Sequence, residues 1–202
     1  MRHAVLGTLA LSLLLAPAAG AVVLHNEAVN GDLSNNRLAP TALLPGVGTN
    51  SIIATSAGLD REYFRLTLPP GSSLTAINLV SYSTADVAFI AVQSGATFTE
   101  DPNAPNVANI LGYTHFGPGL GGATGDILDD MGTGPGAIGF VPPLPTGTYT
   151  FWAQQLQGPT TYQLDFVLTA APVPSISAWG VVALMGLLGA IGLRVRVRSR
   201  AA

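Results

Sequence analysis

Residues Tyr162 to Thr169 alternate cleanly in polarity. Tyr162, Leu164, Phe166 and Leu168 fall on one face, and Gln163, Asp165, Val167 and Thr169 on the other. Successive side chains of an extended chain point to opposite faces, so this period of two predicts a strand with one face in a core. Glu62 to Leu68 repeats the pattern, with Phe64, Leu66 and Leu68 opposite Tyr63, Arg65 and Thr67. Leu74 to Ser83 and Val87 to Ser94 are apolar enough to be central strands. Thr148 to Gln155 is a further strand, in which Trp152 lies opposite in phase to Tyr149, Phe151 and Ala153. Leu111 to Phe116 and Ala137 to Val141 are shorter candidates. Turn chemistry separates these runs at Pro69-Pro70-Gly71-Ser72, Asp101 to Pro105, Pro142 to Gly147 and Gln157 to Thr160, where proline fixes one backbone angle and glycine frees another. Short strands between Gly/Pro turns, with no helical period among them, predict an all-β fold: an antiparallel, jelly-roll-like β-sandwich over residues 22–169. Two stretches lie outside the pattern. Val22 to Asn50 is polar and broken, which predicts an irregular start with one short strand. Gly117 to Gly136 holds eight glycines and predicts a long surface loop.

Both ends of the chain carry longer apolar runs. At the start, Arg2 precedes the apolar run Ala4 to Leu15, and Ala19-Gly20-Ala21 offers small residues in an A-x-A arrangement. This predicts a signal peptide over 1–21, cut after Ala21. At the other end, a spacer over 170–175 leads to Ile176–Leu193, eighteen residues without a charge. As a helix these span roughly 27 Å, the lower end of what crosses a bilayer core. Trp179 sits near one end, where an indole prefers the membrane interface. Arg194, Arg196, Arg198 and Arg200 crowd the other end, in the tail 194–202. The expected topology is a membrane helix over 176–193 with its N-terminal side outside and its basic tail in the cytoplasm.

Composition narrows the function classes. The chain has 202 residues and no cysteine, which excludes a disulfide framework, a thiol nucleophile and thiolate metal sites. All eight basic residues are arginine. Five of them sit in the two ends, leaving Arg37, Arg61 and Arg65 against all eleven acids, so the middle carries 3 − 11 = −8. Nucleic-acid binding needs a basic face, and no nucleic-acid partner is expected here.

Val173-Pro174-Ser175-Ile176-Ser177-Ala178-Trp179-Gly180, the apolar run and the arginine tail follow one another at the end of the chain. The three together resemble PEP-CTERM sorting signals, most closely the IPTL-CTERM variant with its I-P-T-L-S-x-W-G signature. Pro174, Ser177, Trp179 and Gly180 keep that signature, and Val173, Ser175 and Ile176 depart from it conservatively. The resemblance implies delivery to the cell surface or extracellular matrix of a Gram-negative bacterium and processing by an exosortase-like enzyme. A plain C-terminal membrane anchor is the simpler alternative. The middle has a resemblance of its own. Leu59 to Ser72 looks like the D-x-D-Y-F-x-F-x-L-x-x-G segment of bacterial pre-peptidase C-terminal (PPC) domains, with Glu62 where that family often has Asp. Leu144 to Phe151, followed by Thr161 to Phe166, looks like its closing L-x-x-G-T-Y … Y-x-L hairpin. That resemblance implies a secreted accessory sandwich rather than a catalyst.

Catalytic patterns do not emerge. His3, His25 and His115 form no H-E-x-x-H, no G-x-S-x-G elbow occurs, and no lysine follows the glycines of 117–136. No catalytic residue and no obligatory cofactor are expected. Two acidic groups are calcium candidates, because calcium takes six to eight oxygens and carboxylates on irregular backbone supply them. One is Asp126, Asp129 and Asp130; the other is Glu27, Asp32, Asp60 and Glu62, with Asn30 nearby. Ordinary solvated surface charge is the alternative for each. Trp152, if it points outward, offers a face for stacking on sugars. The expectation is therefore a non-enzymatic surface or matrix protein, with a glycan- or surface-polymer-binding module as the alternative.

Overall fold

The computed structural model describes residues 20–58 and 60–171. The chain divides after Ala170, and nearly all of the second unit lies outside the described residues. The same holds for the expected leader, apart from Gly20 and Ala21, and for the expected membrane helix over 176–193. Among the described residues, no helix is long and apolar enough to cross a membrane.

Among its described residues, the first unit has ten strands in two five-stranded sheets. β1 (Val22–Asn26), β3 (Gly48–Ser56), β5 (Ser72–Tyr82), β8 (Gly125–Asp126) and β10 (Thr160–Ala170) form one sheet, in the order β1-β3-β10-β5-β8. β2 (Thr41–Leu43), β4 (Arg61–Thr67), β6 (Ala88–Ser94), β7 (Gly112–Phe116) and β9 (Thr148–Gln154) form the other, in the order β2-β4-β9-β6-β7. Two short helices accompany them, α1 (Glu27–Asn30) and α2 (Leu128–Gly132). Only β6 and β7 are neighbours both in sequence and in a sheet; every other connection passes from one sheet to the other. The two inner faces share one core. It holds Ile52, Ile77, Leu164 and Phe166 from the first sheet and Phe64, Leu66, Ile90 and Phe151 from the second.

The sheets are mixed rather than antiparallel throughout. β1 runs parallel to β3, and β2 parallel to β4. The cause is the order of placement: β1 and β2 go to opposite sheets in turn, and β3 and β4 then follow the same two directions beside them. Parallel neighbours need a crossover, and here each crossover is a strand of the other sheet. The segment 22–50 is accordingly more regular than its composition suggests. β3 was hidden because Asn50, Ser51 and Ser56 are buried polar residues that blur the alternation. Asn50 earns its burial by donating to the carbonyls of Gly46, Gly48 and Phe166 and accepting from the Gly46 amide.

β10 and β4 follow the expected alternation on their inner faces, with Tyr162, Leu164, Phe166 and Leu168, and Phe64 and Leu66, all buried. β5 departs from strict period two. Its register against β10 shifts twice, so Leu74 and Ile77 both face inward although three residues apart. β-Bulges of this kind bend a strand and change which face follows.

The glycine-rich stretch 117–136 is not a loose loop, and 137–141 forms no strand. Ile127, Leu128 and Met131 are fully buried, the last two on α2. Several glycines there mark close packing. A Cβ on Gly132 would lie 2.3 Å from the Phe140 carbonyl oxygen, and the Phe140 amide donates to the Gly132 carbonyl, which ties the two segments together. Gly132→Ala should therefore cost about 1–3 kcal/mol through overpacking. Chemical denaturation checks it, and an unchanged midpoint would show that this segment yields freely.

Candidate metal centre and surface groove

The N-terminal segment folds around one corner of the sandwich. β1 lies beside β3, and the chain then turns sharply through α1. The Asn26 side chain caps it by accepting from the Ala28 amide, and Asn30 returns the favour by accepting from the Asn26 amide. Gly31, at φ 84°, closes the turn where a side chain would be strained. Leu33 then plugs into the core, and the Tyr63 amide donates to the Ser34 carbonyl at 2.8 Å. These contacts carry Glu27 and Asp32 from the first sheet's edge to Glu62 on β4 of the second.

One oxygen from each of Glu27, Asp32 and Glu62 lies within 4.8 Å of the others. The three carboxylates differ in support. Glu27 accepts from the Leu33 amide at 3.2 Å and from the Thr55 amide at 2.5 Å. Asp32 is exposed. Glu62 is fully buried, because it shares the inner face of β4 with Phe64 and Leu66, and neither of its oxygens has a hydrogen-bond partner. Burial, reinforced by the negative charges of Glu27 and Asp60, pushes the Glu62 carboxyl up to about 10. Glu27 and Asp32 are also raised, first by desolvation. The Tyr162 hydroxyl is buried without a partner as well. Desolvation first, then the charges of Glu62 and Glu27, hold it well above the usual phenol range.

An unpaired buried carboxylate is costly when ionised. This corner therefore holds either a proton on Glu62 or a cation among the three acids. The donors are all oxygen, which suits a hard ion such as calcium and not zinc. His25 does not alter that, since its Nε2 is engaged with the Gly31 carbonyl at 2.9 Å. Asp60 stands outside the tight group, though its charge bears on Glu62 and Asp32. Asp126, Asp129 and Asp130 do not converge into such a group. Asp126 Oδ1 instead accepts from the amides of Ile77 and Leu128, fixing β8 and the start of α2. Asp129 and Asp130 lie exposed in the first turn of α2.

Trp152 does point to the outer face of its sheet, but it is only 5 % exposed. A second small core covers it, made of Tyr63, Ala91, Phe98 and Ile110, with Phe98 and Ile110 brought by the connection between β6 and β7. It is therefore no free stacking platform. The row of residues beside it is more accessible: Arg61 and Phe89 are half-buried and His115 is exposed, although Gln154 between them is buried. Arg61 pairs with Gln154, Gln154 with Phe89, and Phe89 with His115 across β4, β9, β6 and β7. This row floors a groove of about 370 Å³, walled by Pro102, Pro105 and Leu156. Single-sequence reading missed it because cross-strand register is not written in any one strand.

Val173, Pro174, Ser175, Ile176, Ser177, Trp179 and Gly180, the arginines at 194, 196, 198 and 200, and Ala19 all lie outside the described residues. Ala21 is exposed, immediately before β1. Compared with known proteins, residues 171–200 match the IPTL-CTERM motif. No curated protein and no solved structure matches the chain. The match leaves the sandwich unassigned, so the PPC resemblance rests on its own residues. The chain carries a C-terminal sorting signal of the IPTL-CTERM type.

Proposed function

We propose that this chain is a non-enzymatic extracellular or cell-surface β-sandwich protein delivered through its C-terminal sorting signal. The observation that carries the reading is the IPTL-CTERM match at 171–200, directly after the last strand of the sandwich. In this reading the leader 1–21 takes the chain across the inner membrane. The apolar run 176–193 holds it there, and the arginine tail keeps the far end in the cytoplasm. An exosortase-like enzyme then acts near Val173 to Gly180 and releases the sandwich outward. The PPC-like accessory role is the finer form of the proposal. Its support is that the two resembling segments meet: β4 and β9 pair with Phe64 opposite Phe151, and the Leu68 amide donates to the Gly147 carbonyl.

Calcium at Glu27, Asp32 and Glu62 belongs to this proposal. A cation there supplies positive charge between three acids and ties the N-terminal segment to β4. An extracellular setting provides calcium at concentrations that suit weak sites, with Kd on the order of 10⁻⁴ to 10⁻³ M.

Changing Arg194, Arg196, Arg198 and Arg200 together to glutamine tests delivery. Without the positive charges the membrane stop loses its orientation signal. The expected result is loss of most surface-exposed protein, measured by protease accessibility on whole cells. Undiminished surface exposure of the quadruple variant would contradict the proposal.

A further inference from the structure

We infer that the outer face of the second sheet holds a binding groove for an acidic glycan, with Arg61 meeting a sugar carboxylate and Phe89 stacking on a sugar ring. This rests on the extracellular reading above and gives that reading a ligand class.

The groove is elongated. Three hollows adjoin along the row Arg61–Gln154–Phe89–His115. The central one, of about 370 Å³, shares Arg61 and Pro102 with a polar hollow of about 350 Å³. It shares Phe89, His115, Gln154 and Leu156 with a third of about 200 Å³. The row crosses four adjacent strands, hence roughly 14 Å at the usual strand spacing, which accommodates more than one sugar ring. The first two volumes fall in the range of ligand pockets, and the third extends the groove beyond them.

Charge selects the ligand. The sandwich over 22–169 has eight more acids than bases, yet two of its three arginines, Arg37 and Arg61, line the polar hollow. Both guanidiniums bond amide and carbonyl oxygens rather than carboxylates. Arg61 Nε donates to the Gln154 side chain at 3.2 Å and Nη2 to the Asn103 side chain at 2.8 Å. Arg37 Nη1 donates to the Phe98 carbonyl at 3.2 Å and to the Thr99 carbonyl at 2.5 Å. The one acid on this wall, Asp101, turns an oxygen onto Asn103. The Arg61 end of the groove therefore carries one net positive charge, while Asp86 lines the opposite end, so a sugar carboxylate belongs at the Arg61 end. Arg61 Nη1 has no partner among these bonds, and a guanidinium prefers a carboxylate.

The floor also favours a sugar over a peptide. The groove runs across the strands, the ladder bonds of β4, β9 and β6 are already paired, and at β7, the edge of the sheet, the His115 carbonyl already accepts from the Ala123 amide, so the groove is poorly suited to an added peptide strand. Sugar hydroxyls both donate and accept, as the amides of Gln154, Asn103 and Asn36 do. The Phe89 ring, half-buried between Trp152 at 4.8 Å and His115 at 5.7 Å, gives a fixed aromatic surface for an apolar sugar face.

The test uses the full chain in detergent micelles, titrated by calorimetry. The probes are tri-galacturonate, tri-mannuronate, their carboxyl-reduced neutral counterparts and an acidic peptide of equal charge. At least one uronate should bind saturably and at least tenfold more tightly than its neutral counterpart, and more weakly at high salt. Arg61→Gln and Phe89→Ala should each weaken it about tenfold or more, while Arg65→Gln, on the same strand but outside the groove, should not. If Arg61→Gln melts below the assay temperature, Arg37→Gln and Phe89→Ala carry the comparison. No saturable uronate binding, equal binding of the neutral sugars, binding of the peptide alone, or unchanged binding in the groove variants would overturn the inference. Surface delivery is a separate readout. A chain that binds uronate but never reaches the surface upholds the groove and defeats the delivery reading; the opposite pair of results defeats the groove alone.

Discussion

Phe166→Ala should destabilise the sandwich by about 3 to 5 kcal/mol, the range for truncating a buried aromatic. Phe166 lies mid-strand in β10, opposite Asn50 of β3 on one side and Ile77 of β5 on the other. Its ring meets Phe64 at 5.8 Å and Phe151 at 5.4 Å, both edge-to-face, while those two rings stack at 5.2 Å. This cluster joins the two sheets at their centre. Removing one member forfeits its own burial and two aromatic contacts, and leaves a cavity between layers that cannot easily collapse. For a domain of this size the loss lowers Tm by roughly 6 to 20 °C. Val167→Ala, at the next position but on the outer face, should cost less than about 1 kcal/mol. Equal melting of the two variants would place β10 in the wrong register, because a slip of one residue exchanges the two faces.

Raising pH in the presence of EDTA should destabilise the folded chain, and calcium should reverse the loss. The sign follows from Glu62. Its carboxyl is raised from an ordinary 4.5 to about 10 in the folded state, so the folded chain holds a proton that the unfolded chain releases. The stability from that proton is complete below about pH 4.5 and is lost as pH rises through about 10. Within that window the slope approaches 1.4 kcal/mol per pH unit, an upper bound for one proton. Glu27 and Asp32 are raised too and act in the same sense at lower pH. A cation replaces the proton, so calcium at a hundredfold excess over Kd should add about 2.7 kcal/mol at pH 8 and less at pH 6. Glu62→Gln keeps the shape and removes the charge. Its stability in EDTA should be nearly flat from pH 6 to 9, and calcium should no longer shift it. A flat profile for the wild type in EDTA, or an undiminished calcium response in the variant, would remove the metal reading.

How far the sequence was legible depended on the kind of information each feature needs. β10 could be read because from Tyr162 to Leu168 its inward residues are all large and apolar and its outward ones are not, apart from Val167. β4 was read correctly on its apolar face, but Glu62 occupies that same face. A charged residue in an inward phase reads as surface until a partner segment is known to cover it, and that partner lies 27 to 33. β3 was missed because Asn50 and Ser51, buried through side-chain hydrogen bonds, break up the apolar pattern that Ile52 and Ala54 would otherwise show. The glycines of 117–136 had two readings, freedom or tight packing, and only the neighbouring carbonyls decide between them. Trp152 shows the same limit: its outward phase was legible, whereas the 95–111 connection that covers it was not. The acidic corner was anticipated as a set of candidate calcium ligands, without the burial of Glu62 or the buried, unpartnered Tyr162 hydroxyl. The groove row required four strands in register and left no trace in any of them.

The most direct test of the account is an intact-mass measurement on the protein recovered from outside the cell. Delivery through the sorting signal predicts a chain that begins at Val22 and ends at or before the motif Val173 to Gly180, without the apolar run or the four arginines. An extracellular chain that still ends at Ala202, or a chain found only full-length in the membrane, would contradict it.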